Sequence, residues 1–220
     1  KKIVKKNLKI VKNKINKKAK EIFLLHQIHS NKFIYIGKNF KSFKKRFKAD
    51  AVVTDQKKIP IAVLTADCVP ILLYEKKRNI IAVIHAGWKG AFKDIIKKVI
   101  DFMIKKGCKK KEIIAAIGPC IGKNSYNVKE DFFLRFVKKN KKNKIFFKKK
   151  GSMIYFNLPA YVKYKLNLSL ISVIIWLKLS LKVKSVATII LSFESNAIPL
   201  LLNSFCLFGS IGLSSCILIV

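Results

Sequence analysis

The chain has 220 residues, which is enough for one domain, or two, with a sizeable hydrophobic core. Its formal net charge is +36, and its five cysteines are an odd number. Because no CxxC pair occurs either, the cysteines argue against a complete disulfide framework and favour reduced thiols in the cytoplasm. Residues 1–20 lack the apolar core of a signal peptide.

The extreme positive charge has two explanations. A basic surface attracts phosphate backbones, which would make the chain a basic nucleic-acid-binding protein. Alternatively, the charge is a compositional bias, because lysine is spread along the first 165 residues. The basic stretches have no interleaved aromatic residues and no groove-reading motif, so compositional bias is preferred and no specific nucleic-acid partner is expected.

The amino-terminal part is predicted to contain a helix followed by strands. Residues 1–20 space apolar side chains among lysines as an amphipathic helix does, packed on the core or lying on a membrane surface. Strand character follows in three short segments, Ile22–Leu25, Phe33–Ile36 and Ala51–Thr54.

The segment between the first two strands contains two histidines. If residues 26–30 are extended, Gln27 and His29 share one face and His26 lies on the other. An isolated histidine is commonly a structural residue, so local sequence alone leaves the role of His29 open.

Two apolar runs dominate the middle of the chain. Ile59–Tyr74 and Asn79–Ile84 are rich in β-branched residues and predict buried strands. The first run contains Asp67 and Cys68, and the second ends directly before His85. Because buried polar groups cost free energy unless they are paired or used, these three residues are functional candidates.

Helices and strands alternate in the segment that follows. Ala-Gly-Trp-Lys-Gly after His85 predicts a turn, then a helix from Ala91 to about Lys106 that ends at Gly107. The other predicted elements are a strand over Glu112–Ile117, a tight turn around Cys120, a short helix within 124–137, a loop over 138–144, a hairpin of Ile145–Phe147 with Met153–Phe156, and a helix over Ala160–Leu166.

The composition changes near residue 167, where Leu, Ile and Ser become dominant. Residues 197–220 carry no charge, and a run of this length can cross a bilayer. A membrane-associated tail, a buried run of strands and a shifted reading frame are the three explanations. We therefore divide the chain into a domain over residues 1–166, with its core at 22–166, and an aberrant apolar tail over 167–220.

Three residues form a candidate metal set: His29, Cys68 and His85. One thiolate and two imidazoles are a good zinc set and leave a coordination position open for water or substrate. Cys68 and His85 could instead be the nucleophile and base of a hydrolase or amidase acting on peptide or cell-wall fragments. Because these residues lie on different predicted strands, their spacing does not decide between the two.

Five segments together resemble, in order and spacing, the YfiH laccase-domain family, once called multicopper polyphenol oxidases. Their sequences are QIH, DAVVT, LTADCVP, HAGWKG and IGPCIG, and the resemblance covers about residues 22–165. It implies an α/β (α+β) fold, built as a layered α/β/β/α sandwich related to cysteine hydrolases of the cytotoxic necrotizing factor type.

The resemblance also implies a zinc-dependent purine nucleoside enzyme, with copper as the alternative metal. The expected reaction is phosphorolysis of adenosine, inosine and, as a further candidate, methylthioadenosine, to the free base and ribose 1-phosphate. A metal-bound water is expected to deaminate adenosine. Purine nucleosides and phosphate are the expected partners, and the cytoplasm is the expected location.

The family's site residues can be carried over by motif. The implied metal ligands are His29, Cys68 and His85. Asp67 is implied to act with Cys68 and His85 in catalysis, unless it only accepts a hydrogen bond at a strand end. Lys89 stands where the family usually has arginine, and it keeps the charge for phosphate without the bidentate geometry. Cys120 and Gln27 are further candidates near the substrate, although Cys120 would equally suit a small buried position.

The sequence departs from the family pattern in three places. Ser30 occupies a position where the family usually has glycine. The amino-terminal segment with GGxS and NLG-like motifs is absent, as is the carboxy-terminal strand region with an FxSYRR-like motif. We therefore expect a truncated or frame-shifted member.

Overall fold

The computed structural model describes residues 21–41 and 46–170, a few residues of the amino-terminal segment, and the backbone of four short strands after residue 170. The helix predicted over residues 1–20 falls mostly outside the described residues. Those described there, 6, 8–10 and 12–13, are helical. Leu8 packs against Leu24 and Ala62, as a helix lying on the core would.

The chain alternates between strands and helices. The strands are β1 (Phe23–Leu24), β2 (Phe33–Ile36), β3 (Ala51–Thr54), β4 (Ile61–Thr65), β5 (Val69–Glu75), β6 (Ile80–Ala86), β7 (Ile114–Ile117), β8 (Asn127–Val128), β9 (Phe147–Lys150), β10 (Met153–Phe156), β11 (Ile174–Trp176), β12 (Thr188–Ile189), β13 (Leu207–Gly212) and β14 (Ser215–Ile219). The helices are α1 (Trp88–Phe92), α2 (Ile95–Lys105), α3 (Glu130–Lys139) and α4 (Leu158–Ser169), with 3-10 turns at Lys110–Glu112 and Lys141–Phe146.

The described strands form three sheets. The central sheet has the order β11-β7-β5-β6-β3-β2, in which β6 pairs antiparallel with both β5 and β3, and β2 joins β3 in parallel. A second sheet has the order β1-β4-β14-β13-β12, and a small third sheet has the order β8-β10-β9. The mixed α+β class predicted from the sequence is therefore confirmed.

Both faces of the central sheet are buried. Successive side chains of a strand point to opposite faces, so alternate residues belong to two different core clusters. One face packs against the helices in the larger core cluster, to which the sheet contributes Ala51, Val53, Ile71, Leu73, Ala82, Ile84, Ala115 and Ile117. The other face packs against β1 and β4 in a second cluster, to which the sheet contributes Val52, Leu72, Val83 and Ala116. The complete α/β/β/α layer order stays a prediction.

The apolar run predicted as buried strand over Ile59–Tyr74 contains two strands that belong to different sheets. A turn at residues 66–68 separates β4 from β5. The polar Asp67 and Cys68 therefore lie at the end of strands, where the chain leaves one sheet for the other.

The prediction of one helix over Ala91–Lys106 is wrong at its start and in its continuity. The helix begins earlier, at Trp88, and is broken at Asp94, which has a left-handed backbone with φ 63°. The Asp94 carboxylate is held in an ion pair by Lys165 of α4. Gly107, with φ 91°, ends α2 as predicted.

Between α3 and α4 the chain is more regular than predicted. α3 continues to Lys139 and a 3-10 turn follows, so residues 138–144 are not simply a solvated loop. The hairpin strand starts at Phe147 instead of Ile145, and α4 is longer than predicted at both ends. The side chain of Asn157 accepts the backbone N–H of Ala160 at 3.1 Å and caps α4.

The apolar tail over 167–220 lies mostly outside the described residues. Its described strands include β14, which pairs antiparallel with β4. Across the described part of the chain, no helix has both the length and the apolar character needed to cross a bilayer.

Candidate metal site

The side chains of His29, Cys68 and His85 converge on one point, although they come from three separate segments. One donor atom of each residue lies within 4.8 Å of the others. His29 lies in the loop between β1 and β2, Cys68 in the turn between β4 and β5, and His85 in β6. His85 is buried and His29 is exposed, so the cluster is open to solvent on the His29 side.

The backbone around His29 is shaped by a buried carboxylate, that of Asp50. The N–H groups of Ile28, His29 and Ser30 donate to it at 3.1, 2.9 and 2.6 Å, and the Ser30 hydroxyl donates at 2.7 Å. Successive N–H groups around an anion require a turn with a left-handed residue, and His29 has φ 55°. The extended alternation predicted for residues 26–30 is therefore wrong at His29.

Asp50 also fixes His85. The His85 Nδ1 atom lies 2.9 Å from Asp50 Oδ1, and the two side chains are 4% and 0% exposed. The His85 N–H also donates to the Asp50 carbonyl oxygen at 2.7 Å. Burial tends to raise the pKa of Asp50, but hydrogen bonds from His85, Ser30 and His29 lower it to about 2. The ionised carboxylate orients the imidazole so that Nε2 is left for another partner.

The donor set fits a metal ion. The Sγ atom of Cys68 lies 3.7 Å from Nε2 of His29, and sulfur and nitrogen ligands of one tetrahedral zinc are about 3.6 Å apart. Burial, followed by the charges of Asp67 and Asp50, raises the pKa of Cys68 to about 11. Burial and His85 lower the pKa of His29, which favours the neutral imidazole that a metal requires.

Gly87, which precedes α1, makes the cluster compact. A Cβ atom at this position would lie 2.8 Å from Cδ2 of His29 and 3.0 Å from Sγ of Cys68. Because its φ of −68° is accessible to any residue, the glycine is needed for space and not for backbone freedom.

A cavity of about 440 Å³ adjoins the cluster, a volume typical of small-molecule sites. Its lining residues are His29, Asp67, Cys68, Trp88, Lys89, Ile121, Tyr126 and Leu158. Two predicted residues, Asp67 and Lys89, thus lie beside the candidate ligands. Lys89 is exposed, and its Nζ atom lies 5.6 Å from the centroid of the Trp88 ring.

The two remaining predicted residues, Gln27 and Cys120, are not among the described residues that line this cavity. The Gln27 side chain donates to the Leu64 carbonyl and accepts the Leu64 N–H, both at 2.8 Å, and so joins the His29 loop to β4. Cys120 is half-buried against the main core, and burial raises its pKa to about 11. The charge of Cys68 also contributes to the raised pKa of Cys120, and substrate-binding roles for Gln27 and Cys120 stay predictions.

Contributors to the site that were not proposed as site residues from the sequence include Asp50, Trp88 and Tyr126. Asp50 had a visible signal, because a carboxylate directly before a buried strand needs partners. Trp88 was assigned to a turn and Tyr126 to a short turn and helix segment. Their places in the cavity depend on tertiary packing.

Comparison with known proteins places this site in a family. A family model described as multi-copper polyphenol oxidoreductase laccase matches residues 1–176. The chain belongs to this laccase family. The resemblance predicted from the five motifs is thereby confirmed.

Curated relatives of this laccase-family chain have enzyme names. A purine nucleoside phosphorylase of Rickettsia prowazekii is 39% identical over 152 residues, which cover 68% of this chain and 61% of the relative. An adenosine deaminase from an unknown prokaryotic organism is 42% identical over 89 residues, covering 40% of this chain and 34% of the relative. The chain thus spans less than two thirds of the length of these relatives.

Solved structures share the laccase-family fold. A Neisseria meningitidis protein superposes with a TM-score of 0.65 at 25% identity, covering 76% of this chain and 66% of that one. YfiH of Bacillus licheniformis superposes with a TM-score of 0.68 at 22% identity, covering 79% and 68%.

Proposed function

We propose that this chain carries the metal centre of a zinc-dependent purine nucleoside enzyme that acts in the cytoplasm. The observation that supports this most is the convergence of three donor atoms within 4.8 Å of one another. The names of the curated relatives support the reaction. It is phosphorolysis of adenosine or inosine, with methylthioadenosine as a further candidate and adenosine deamination as a second activity.

His29, Cys68 and His85 would hold the ion. Hydrogen bonding of the second ring nitrogen to a carboxylate, as between His85 and Asp50, is typical of metal-ligating histidines. When bound, zinc supplies Lewis acidity that polarises an oxygen ligand or a water molecule. Copper is the alternative, because imidazole and thiolate also suit that metal.

The other polar residues of the cavity would bind substrate. Lys89, which lines the cavity, would attract phosphate, although an ammonium group is a point charge without the fork of arginine. The exposed Asp67 carboxylate would accept hydrogen bonds from nucleoside hydroxyl groups or take up a proton. In phosphorolysis the C1′–O bond to phosphate forms as the C1′–N9 bond breaks, so these groups must hold two reactants at one carbon.

The test uses the full chain and a matched pair of histidines. The wild-type protein should bind about one zinc and convert inosine with phosphate to hypoxanthine and ribose 1-phosphate. His29→Ala should lose both properties. His26→Ala should keep them, because His26 lies in the same segment but outside the metal cluster. A folded, metal-free chain with full phosphate-dependent turnover would contradict the proposal.

A Cys–His hydrolase or amidase is the second candidate. The buried His85–Asp50 pair resembles the base and orienting acid of nucleophilic triads. Burial raises the pKa of Cys68, and a protonated thiol is a poor nucleophile, whereas a bound metal ion would itself deprotonate the thiol. Amide hydrolysis that survives zinc chelation and is abolished by thiol alkylation would favour the hydrolase.

The positive charge is proposed to add only a nonspecific affinity for nucleic acid. Binding should be blind to sequence and fall steeply with salt concentration. Sequence-selective binding that persists at high salt would instead favour the nucleic-acid-binding alternative.

A further inference from the structure

Part of the cavity lining is apolar and aromatic. Tyr126, Trp88, Ile121 and Leu158 line it together with the polar residues around the metal cluster. Purine bases have apolar faces and polar edges, so a cavity with both kinds of lining suits them. The side chain of Tyr126 offers both kinds of contact, an aromatic ring and a polar hydroxyl group.

Tyr126 contacts Phe156 and Phe132. Its backbone carbonyl accepts the N–H of Phe156 at 2.9 Å. The ring packs edge-on against Phe156, with 5.8 Å between centroids, and against Phe132 at 6.2 Å. The side chain is half-buried, and the two ring contacts restrict where it can lie.

The hydroxyl of Tyr126 has no hydrogen-bond partner among the residues that the structure describes. It is not one of the fully buried polar atoms that lack a partner. A tyrosine hydroxyl has an ordinary pKa of about 10, so the group carries its proton at neutral pH. A fixed phenol with an unused proton beside a polar cavity is a ready hydrogen-bond donor.

We propose that Tyr126 is a base-binding residue that donates a hydrogen bond to the purine as the glycosidic bond breaks. This inference rests on the proposed phosphorolysis. The electron pair of the C1′–N9 bond stays on the base, a phosphate oxygen bonds to C1′, and the proton of hydrogen phosphate ends on the purine. Tyr126 keeps its own proton and stabilises the negative charge that develops on the base.

The test compares Tyr126→Phe with wild type on two substrates, using the full chain loaded with zinc. With inosine, loss of one donor to a developing charge should lower kcat about 10- to 100-fold. With 7-methylinosine, kcat should change less than about threefold, because that base leaves as a neutral molecule and needs less stabilisation. Tyr155→Phe is the matched control, since the Tyr155 hydroxyl bonds to Met153 Sδ at 3.1 Å, outside the cavity lining.

Each outcome decides the assignment. Unchanged turnover of inosine by Tyr126→Phe overturns it, and an equal loss on both substrates overturns it by pointing to a structural role. In both cases wild-type turnover keeps the proposed function intact. A zinc-loaded wild-type chain without phosphorolysis overturns the proposed function and the role of Tyr126 together. The thermal unfolding midpoint of each variant separates loss of folding from loss of the donor.

Discussion

Asp50 contacts His85 twice. Oδ1 of its buried carboxylate lies 2.9 Å from Nδ1 of the His85 ring, and its backbone carbonyl oxygen accepts the backbone N–H of His85 at 2.7 Å. The same carboxylate receives the backbone N–H of His29 at 2.9 Å. Two of the three candidate ligands are thus positioned by a residue that is not itself a ligand.

Asp50→Asn should weaken metal binding. An amide has one acceptor oxygen and cannot serve all the donors that surround Asp50, so the His29 loop and the His85 ring lose their common anchor. Loss of such an outer partner typically lowers metal affinity by about 10- to 100-fold. Competition with a zinc chelator measures the affinity.

Asp55→Asn is the control, because Asp55 follows the other end of β3 and bonds to Tyr35 and Gln56. If Asp50→Asn binds zinc as tightly as Asp55→Asn, Asp50 does not position the ligands.

Gly87→Ala should disturb the metal cluster without straining the backbone. The new Cβ would lie 2.8 Å from the His29 ring and 3.0 Å from the Cys68 sulfur. Both distances are shorter than ordinary contacts of a Cβ atom, so the two ligands would have to move. Zinc affinity should fall while the unfolding midpoint of the metal-free chain changes little. Gly122→Ala is the matched variant, because among the described residues its Cβ would meet only Ser125 Oγ, at an ordinary 3.7 Å. Equal zinc affinities in the two variants would contradict the steric explanation.

Lys165→Gln should remove a pH-dependent part of the stability. Burial tends to raise the pKa of Asp94, but the ion pairs with Lys165 and Lys139 lower it overall. Since the folded pKa lies below the unfolded value of about 3.9, ionised Asp94 stabilises the fold above that pH, and the contribution is lost as the pH falls through the folded pKa. The difference in unfolding free energy between wild type and variant should therefore shrink in acid.

Denaturant unfolding at several pH values measures this difference. Lys163→Gln is the control from the same helix, because Lys163 is exposed and forms none of the ion pairs found among the described residues. A wild-type advantage that stays constant into strong acid would contradict the role of the ion pair.

Phe136→Ala should be the most damaging substitution in α3. Phe136 is fully buried and packs against several rings, including Phe132 and Phe156 at 4.8 Å between centroids. Removing such a side chain costs about 3 to 5 kcal/mol of unfolding free energy. Leu134→Ala, at a position 55% exposed in the same helix, should cost less than about 0.5 kcal/mol. Similar costs at the two positions would show that α3 does not pack on the core in this orientation.

Short strands were predictable because their signal is local. Phe33–Ile36 and Ala51–Thr54 agree with the structure at both ends, and α2 ends at Gly107 as expected. The candidate ligands were also identified from residue type and motif. The strand and helix predictions depend on neighbouring residues alone, whereas the ligand set depended on motifs spread along the chain.

The errors share a different cause. The turn at residues 66–68 is hidden inside an apolar run, and only the assignment of β4 and β5 to different sheets reveals it. The helix breaks at Asp94, whose backbone is left-handed and whose carboxylate pairs with Lys165, a residue distant in sequence. The left-handed His29 depends on a carboxylate from the start of β3. In each case the departure from the local pattern goes with a contact to residues distant in sequence.

The three candidate ligands lie in segments that the chain must bring together from far apart in sequence. An ion held by all three would act as a cross-link between the two sheets and the β1–β2 loop, and the unfolded chain could not offer the same set in place. Binding free energy would then become folding free energy. The supply of metal during synthesis would govern how much chain survives as folded protein, as well as how much is active.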